Sequence, residues 1–170
     1  MLTKTEEKIV AVADQPVEIA ITKNDRKELA HALSLLLADT YALYLKTQNF
    51  HWNIKGARFP SLHILFENQY LELAIAVDLI AERIRALGEL APGSFSEFSK
   101  LTCLQEGNSH ISANEMVLAL MQDHERIAQS TRTMVPKSEK VNDYASVDLL
   151  TQRMSAHEKA AWMLRSTNEA

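Results

Sequence analysis

The chain has 170 residues, of which 46% are hydrophobic and 24% are charged, and its formal net charge is −4. This length suits one domain with a substantial core, and the charge excludes a general attraction to nucleic acid or to an anionic membrane surface. The single cysteine, Cys103, excludes an intrachain disulfide, and the apolar runs are too short to cross a membrane.

Residues 1–22 show no sustained helical period, and they predict an N-terminal arm in front of a domain that spans residues 23–170. Two lysines against four acidic residues give the side chains of this arm a summed charge of −2. A basic arm would indicate DNA binding, and this arm is not basic. It also lacks the apolar core of a signal peptide, so we expect a cytoplasmic protein.

The spacing of apolar residues, together with only four Gly and four Pro, predicts an all-α fold. The predicted helices span, in order, about 22–52, 59–87, 94–101, 112–134 and 145–166. Pro136 is expected to stop the third long helix. The long connection that carries the short helix favours a ferritin-like four-helix bundle over a simple up-and-down bundle. Such bundles use two Glu-x-x-His motifs as metal ligands, and the only one here, Glu28 with His31, is interpreted as a surface pair.

Four side chains of metal-ligand type lie along the second predicted helix: His63, Glu67, Asp78 and Glu82. At about 100° per residue they fall at roughly 0, 40, 60 and 100° around the helix axis, so they share one face. His63 and Glu82 are separated by about 28 Å at a rise of about 1.5 Å per residue, which is too far for one metal site. A single copy of this helix therefore cannot complete the site.

The spacing of these four residues is symmetric. The pairs 63/82 and 67/78 share one midpoint, between positions 72 and 73. A second copy of the helix, running antiparallel across a two-fold axis at this point, would bring His63 beside Glu82 of that copy and Glu67 beside its Asp78. We therefore predict an intersubunit metal site that forms twice in each dimer.

Imidazole with carboxylates is a ligand set for iron, zinc or manganese, and the side chains alone do not choose among these metals. Structural alternatives exist for each ligand. Asp78 and Glu82 could pair with an arginine of the same helix, and His63 could be a surface or interface histidine. The candidate arginines are Arg83 and Arg85. Against this alternative, apolar residues surround Asp78, where an unpaired buried carboxylate is costly.

His51 and Trp52 end the first predicted helix inside the segment NFHWNIKG. Trp52 has two interpretations. It is either a large hydrophobic residue that closes the helix end, or an oxidisable indole beside a redox metal, able to quench or relay radical equivalents.

The combination of NFHWNIKG, His63-x-x-x-Glu67, Asp78-x-x-x-Glu82 followed by RIRALG, and the closing HEKAAWMLR resembles the Dps family, the mini-ferritins named as DNA-binding proteins from starved cells. The resemblance covers most of the chain. It implies a hollow dodecamer of four-helix subunits in the bacterial cytoplasm. It also implies that Fe(II) is oxidised at ferroxidase sites on the dimer two-fold axes, preferentially by hydrogen peroxide and also by oxygen, and that Fe(III) mineral is stored inside.

Carried over residue by residue, the resemblance implies a two-iron site in which His51 and His63 of one subunit face Asp78 and Glu82 of another. Trp52, directly after His51, is then the candidate redox residue. This arrangement agrees with the two-fold geometry that the spacing along the second helix predicts.

Two positions depart from the family pattern. Glu67 stands where Asp is common, and Ile64 replaces a frequent acidic neighbour. Neither change removes a principal ligand, so we expect iron oxidation to be retained, with Glu67 as a further ligand.

Two further expectations follow from the resemblance. Asp143 and Asp148, at the start of the last helix, are candidates for acidic residues of an iron-entry pore, and their alternative role is to cap that helix. Family members often bind DNA through basic terminal arms, which this chain lacks, so we expect weak or no DNA binding. The alternative function is a nucleoid-associated DNA-compacting protein with a secondary iron site.

Overall fold

The computed structural model describes residues 16–167, which form helices and connecting segments without strands. The helices are α1 (Lys23–Asn53), α2 (Phe59–Ala86), α3 (Phe95–Leu101), α4 (Ala113–Lys140) and α5 (Tyr144–Thr167). The predicted architecture of four long helices, with one short helix in the long connection, is confirmed. The first 15 residues of the predicted arm lie outside the described residues.

Side-chain caps set the starts of three helices. Thr22 caps α1 by accepting a hydrogen bond from the backbone N–H of Asp25 at 3.2 Å. Ser94 and Ser112 open α3 and α4 with capping boxes, in which a glutamate three residues later bonds back to the cap.

The predicted end of the third long helix at Met134 is wrong, because α4 continues through Pro136 to Lys140. Proline removes one donor and leaves the carbonyl of Arg132 without its helical partner. Both Arg132 and Pro136 are exposed, so water can satisfy this carbonyl. Buried Ser138 keeps the last turn in the bundle, and its carbonyl accepts from the backbone N–H of Asp143 at 2.9 Å.

The long helices pack as two pairs, α1 with α2 and α4 with α5, and α1 also contacts α4 and α3. The short α3 lies on α1, where Phe98 stacks on Tyr41 with ring centroids 4.6 Å apart. The interior is filled mainly by leucine, isoleucine, phenylalanine and methionine. Its largest fully buried members are Phe50, Phe66, Leu36, Leu37, Leu43, Leu62, Leu73, Ile80, Ile84, Leu87, Met116 and Leu120. This core holds the end of α1 against the start of α2, where the candidate site begins.

Candidate metal centre

Two of the predicted ligands, His51 and His63, lie in direct contact. His51 is in the last turn of α1 and His63 is in the second turn of α2, and the short turn through Gly56 folds one helix back on the other. Gly56 has φ +105°, a conformation that favours glycine. The two imidazole rings stack with centroids 3.8 Å apart and planes 16° apart.

Reciprocal hydrogen bonds fix both rings. Nδ1 of His51 lies 2.9 Å from the carbonyl oxygen of His63, and Nδ1 of His63 lies 2.9 Å from the carbonyl oxygen of His51. A carbonyl only accepts, so each Nδ1 carries the proton and donates it. In the neutral tautomer that these bonds select, Nε2 carries the free lone pair, and Nε2 is therefore the nitrogen through which each ring can ligate a metal.

The stacking also limits how the two imidazoles can bind. A nitrogen lone pair lies in the plane of its ring, and two stacked, nearly parallel planes do not meet at a common ion. One metal ion therefore cannot take both Nε2 atoms in this arrangement. Each histidine is suited to a different ion of a pair.

Aromatic rings enclose the histidine pair on both sides. Phe59 stacks on His63 with centroids 4.9 Å apart, and Tyr70 meets His51 edge-on at 5.2 Å. Phe59 and Tyr70 were not among the predicted site residues, although Phe59 precedes His63 by one helical turn and so shares its face. Trp52, by contrast, is 63% exposed.

The acidic ligands lie elsewhere on α2. Glu67 is half-buried one turn after His63, whereas Asp78 and Glu82 are exposed near the other end of the helix. Within residues 16–167, no group of three His, Cys, Asp or Glu side chains is close enough to hold a metal ion. One chain therefore does not bring the histidines and the distal acids together.

The alternative ion pairs for Asp78 and Glu82 do not form. Arg83 instead binds Asp143, with Nη2 2.5 Å from the carboxylate, and Arg85 donates to the carbonyl oxygen of Glu89 at 2.8 Å. Asp78 and Glu82 consequently have no side-chain hydrogen bond or salt bridge among the described residues. Their carboxylates remain available to a cation.

An apolar stripe runs along the same side of α2 as these acids. Its members are large hydrophobic residues between 46% and 65% exposed: Ile64, Leu71, Ile75 and Leu79. The apolar neighbours predicted for Asp78 are present, but in the single chain they are exposed. A face of this kind on a helix marks an interaction surface.

The two pore candidates have different surroundings. Asp143 is buried and caps α5 by accepting from the N–H and Oγ of Ser146 at 3.1 and 2.6 Å. Burial raises the pKa of Asp143, but the hydrogen bonds from Arg83 and Ser146 outweigh it and hold the pKa below its usual value. Asp148 is exposed and accepts from Nε2 of Gln152 at 2.7 Å. A pore role stays a prediction for both, and the capping alternative describes Asp143 in the single chain.

Comparison with known families gives one match that covers most of the chain. Residues 30–169 match the ferritin-like domain family. A low temperature-induced protein of Nostoc sp., described as uncharacterized, is 40% identical over 88% of this chain and 85% of its own length. DNA protection during starvation protein 2 of Bacillus anthracis is 35% identical over 82% of this chain and 96% of its own length.

Solved structures give the same picture. The Dps protein of Vibrio cholerae, whose description places it among ferritin-like diiron-carboxylate proteins, superposes with a TM-score of 0.84 at 28% identity, over 92% of this chain and 98% of that one. The Dps protein of Staphylococcus aureus superposes with a TM-score of 0.82 at 30% identity, over 85% of this chain and 97% of that one.

Proposed function

This chain belongs to the Dps family of ferritin-like proteins, and on that premise we propose that it is a mini-ferritin, which oxidises Fe(II) at intersubunit ferroxidase sites and stores the Fe(III) product. The observation that carries the proposal is the histidine pair. Two imidazoles, each with its Nδ1 bound to a backbone carbonyl, stand at one end of a helix whose other end presents two carboxylates without a partner among the described residues. A two-fold axis that crosses α2 between its ends joins the two half-sites.

The apolar stripe of α2 supports this dimer. Ile64, Leu71, Ile75 and Leu79 run between the half-sites, and an antiparallel copy of α2 would cover them. Burying exposed apolar surface in a dimer contact contributes about 25 cal/mol per Å² to the free energy that favours association. The same contact that buries these side chains would bring Asp78 and Glu82 of the second copy to the histidine pair.

Each proposed ligand has a distinct task. His51 and His63 each offer one nitrogen to a separate iron ion, because their stacked rings cannot share one. Asp78 and Glu82 of the second copy supply negative charge and can bridge the two ions. Glu67, half-buried one turn after His63, is a candidate ligand of the second iron.

The proposed reaction uses iron as a substrate. Two Fe(II) ions each give one electron to one molecule of hydrogen peroxide, whose O–O bond breaks. With two water molecules the products are two FeO(OH) units and four protons, so atoms and charge balance. Because both electrons arrive at one site, no hydroxyl radical is released. Oxygen is the slower oxidant.

Storage requires an enclosed assembly, and we propose a dodecamer built from these dimers, with ferric mineral in its cavity and Asp148 and Asp143 near an entry pore. Removing Fe(II) and peroxide together would protect DNA without binding it. We expect weak or no DNA binding at physiological salt, as the net charge of −4 suggests. Trp52 is exposed beside His51. Its indole is the proposed donor of an electron to one-electron oxidants that form at the site.

An iron-loading experiment tests the function. Fe(II) is added without oxygen, hydrogen peroxide follows, and iron and protein are traced through a size-exclusion column. We expect many irons per chain to elute with a large, compact assembly. Iron that separates from a monomer or dimer would contradict storage, and an unchanged rate of oxidation in a variant with both His51→Ala and Asp78→Ala would contradict the site.

A further inference from the structure

A second histidine pair lies in the interior of the bundle, apart from the metal centre. His124 on α4 and His157 on α5 are 2% and 0% exposed, and their Nδ1 atoms are 2.9 Å apart. In this hydrogen bond one Nδ1 donates and the other accepts. The neutral pair therefore joins one Nδ1–H tautomer to one Nε2–H tautomer.

The uncharged groups around this pair are polar and lack hydrogen-bond partners among the described residues. Nε2 of each histidine is buried without a hydrogen-bond partner among the described residues, and so are both amide atoms of Gln69 on α2. Arg153 binds Glu72 through both terminal nitrogens, which sets α5 against α2. Gln69, three residues before Glu72, is thereby level with His157, four residues after Arg153. An amide, unlike a carboxylate, offers no counter-charge to a protonated imidazole.

The charged groups at this level are already paired. Lys46 of α1 lies 2.5 Å from the carboxylate of Asp123 on α4, and Glu72 of α2 holds Arg153 of α5. No unpaired carboxylate therefore faces the histidines from any of the four long helices. Arg153 acts on both rings as a neighbouring positive charge.

Burial and Arg153 together oppose protonation. Burial first, and Arg153 second, lower the pKa of His124 to about 3. Burial, His124 and Arg153 lower the pKa of His157 well below its ordinary value. In the unfolded chain both rings face water, and their pKa has its ordinary value of about 6.5.

We propose that the His124–His157 pair is an acid-operated latch that joins α4 to α5. While both rings are neutral the latch is closed, and in acid their protonation separates the two helices and opens the subunit, together with any assembly built from it. Below about pH 6.5 the unfolded state binds protons that the folded state refuses, so stability falls as the pH falls. For each unit by which the pH falls, each histidine raises the equilibrium constant for unfolding by up to about tenfold, and the pair raises it by up to about a hundredfold.

The test measures chemical unfolding of the full-length, iron-free protein between pH 7.5 and 4.5 at one protein concentration. In the wild type, the pair is expected to raise the equilibrium constant for unfolding by up to about a hundredfold for each unit by which the pH falls. A variant with both His124→Gln and His157→Gln should lose this contribution. The matched control carries His31→Gln and His110→Gln, both at exposed positions, and should keep the wild-type dependence. Equal pH dependence in the wild type and the buried-pair variant would overturn the latch.

A second measurement needs no variant. Imidazole nitrogen NMR of the labelled wild-type protein should show two histidines that stay neutral in the folded state at pH 5. If every imidazole of the folded protein is protonated at that pH, the latch is wrong even where the double variant fails to fold. Neither experiment requires iron, so the latch and the proposed function can fail separately.

Discussion

At the scale of single residues, the sequence predicts the kind of ligand but not its orientation. His63 was identified by residue type and spacing and His51 by the resemblance to the Dps family, whereas their stacking and reciprocal hydrogen bonds depend on how the turn between α1 and α2 closes. No periodicity encodes that closure. The stacked geometry supports the proposal that each histidine binds a separate ion.

Replacing His63 tests that proposal. His63→Ala removes one proposed nitrogen ligand and the ring that stacks on His51. We expect iron oxidation to slow by about a hundredfold, the upper end of the cost of losing a group that supports a metal ligand. Stopped-flow absorbance of Fe(III) formation measures the rate. His110→Ala, at an exposed position on the α3–α4 connection, is the control and should leave the rate unchanged. Equal rates in the two variants would contradict the role of His63.

At the scale of helices, the apolar periods were sufficient to predict every element, and the errors arise where a contact from another helix overrides a local rule. Arg153 is buried on α5, where a charged side chain would normally be exposed, because Glu72 of α2 neutralises it. The two residues are 81 positions apart, so a local pattern could not reveal the pair. Pro136 stays inside α4 for a comparable reason, since buried Ser138 holds the turn that follows it.

The end of α2 provides a stability prediction. Gly88 has φ +90°, and a Cβ atom there would lie 2.9 Å from Cγ2 of Val17, so Gly88→Ala combines backbone strain with a close contact. We expect it to lower the free energy of unfolding by about 1–3 kcal/mol. Gly93→Ala is the matched control, because its Cβ would meet no atom within 4 Å and its φ is not positive. That variant should stay within about 0.5 kcal/mol of the wild type in the same denaturation assay.

At the scale of the whole molecule, a single chain explains only half of the site. The midpoint symmetry of α2 predicted a two-fold contact from sequence, and the exposed apolar stripe agrees with that prediction without testing it. The number of subunits follows from neither feature, because helix periods carry no information about how dimers pack with one another. What the sequence and the apolar stripe support about the assembly is a two-fold axis at the middle of α2.

A charge in the apolar stripe should break the dimer. Ile75 is 65% exposed in the single chain and lies near the proposed axis, so Ile75→Arg would place two like charges close together across it. We expect analytical ultracentrifugation to show dissociation and iron oxidation to fall with it. Leu90→Arg, at an 83% exposed position outside the stripe, should change neither property. An intact, active assembly of the Ile75 variant would contradict the proposed interface.

The most direct test of the intersubunit site mixes two inactive proteins. One carries His51→Ala and His63→Ala, the other Asp78→Ala and Glu82→Ala, and the two are dissociated, mixed in equal amounts and reassembled. Random pairing makes half of the dimers hybrids, each with one intact site out of two, so about a quarter of the wild-type iron-oxidation activity should return. If hybrids verified by mass spectrometry remain inactive, the histidines and acids do not meet across a two-fold axis.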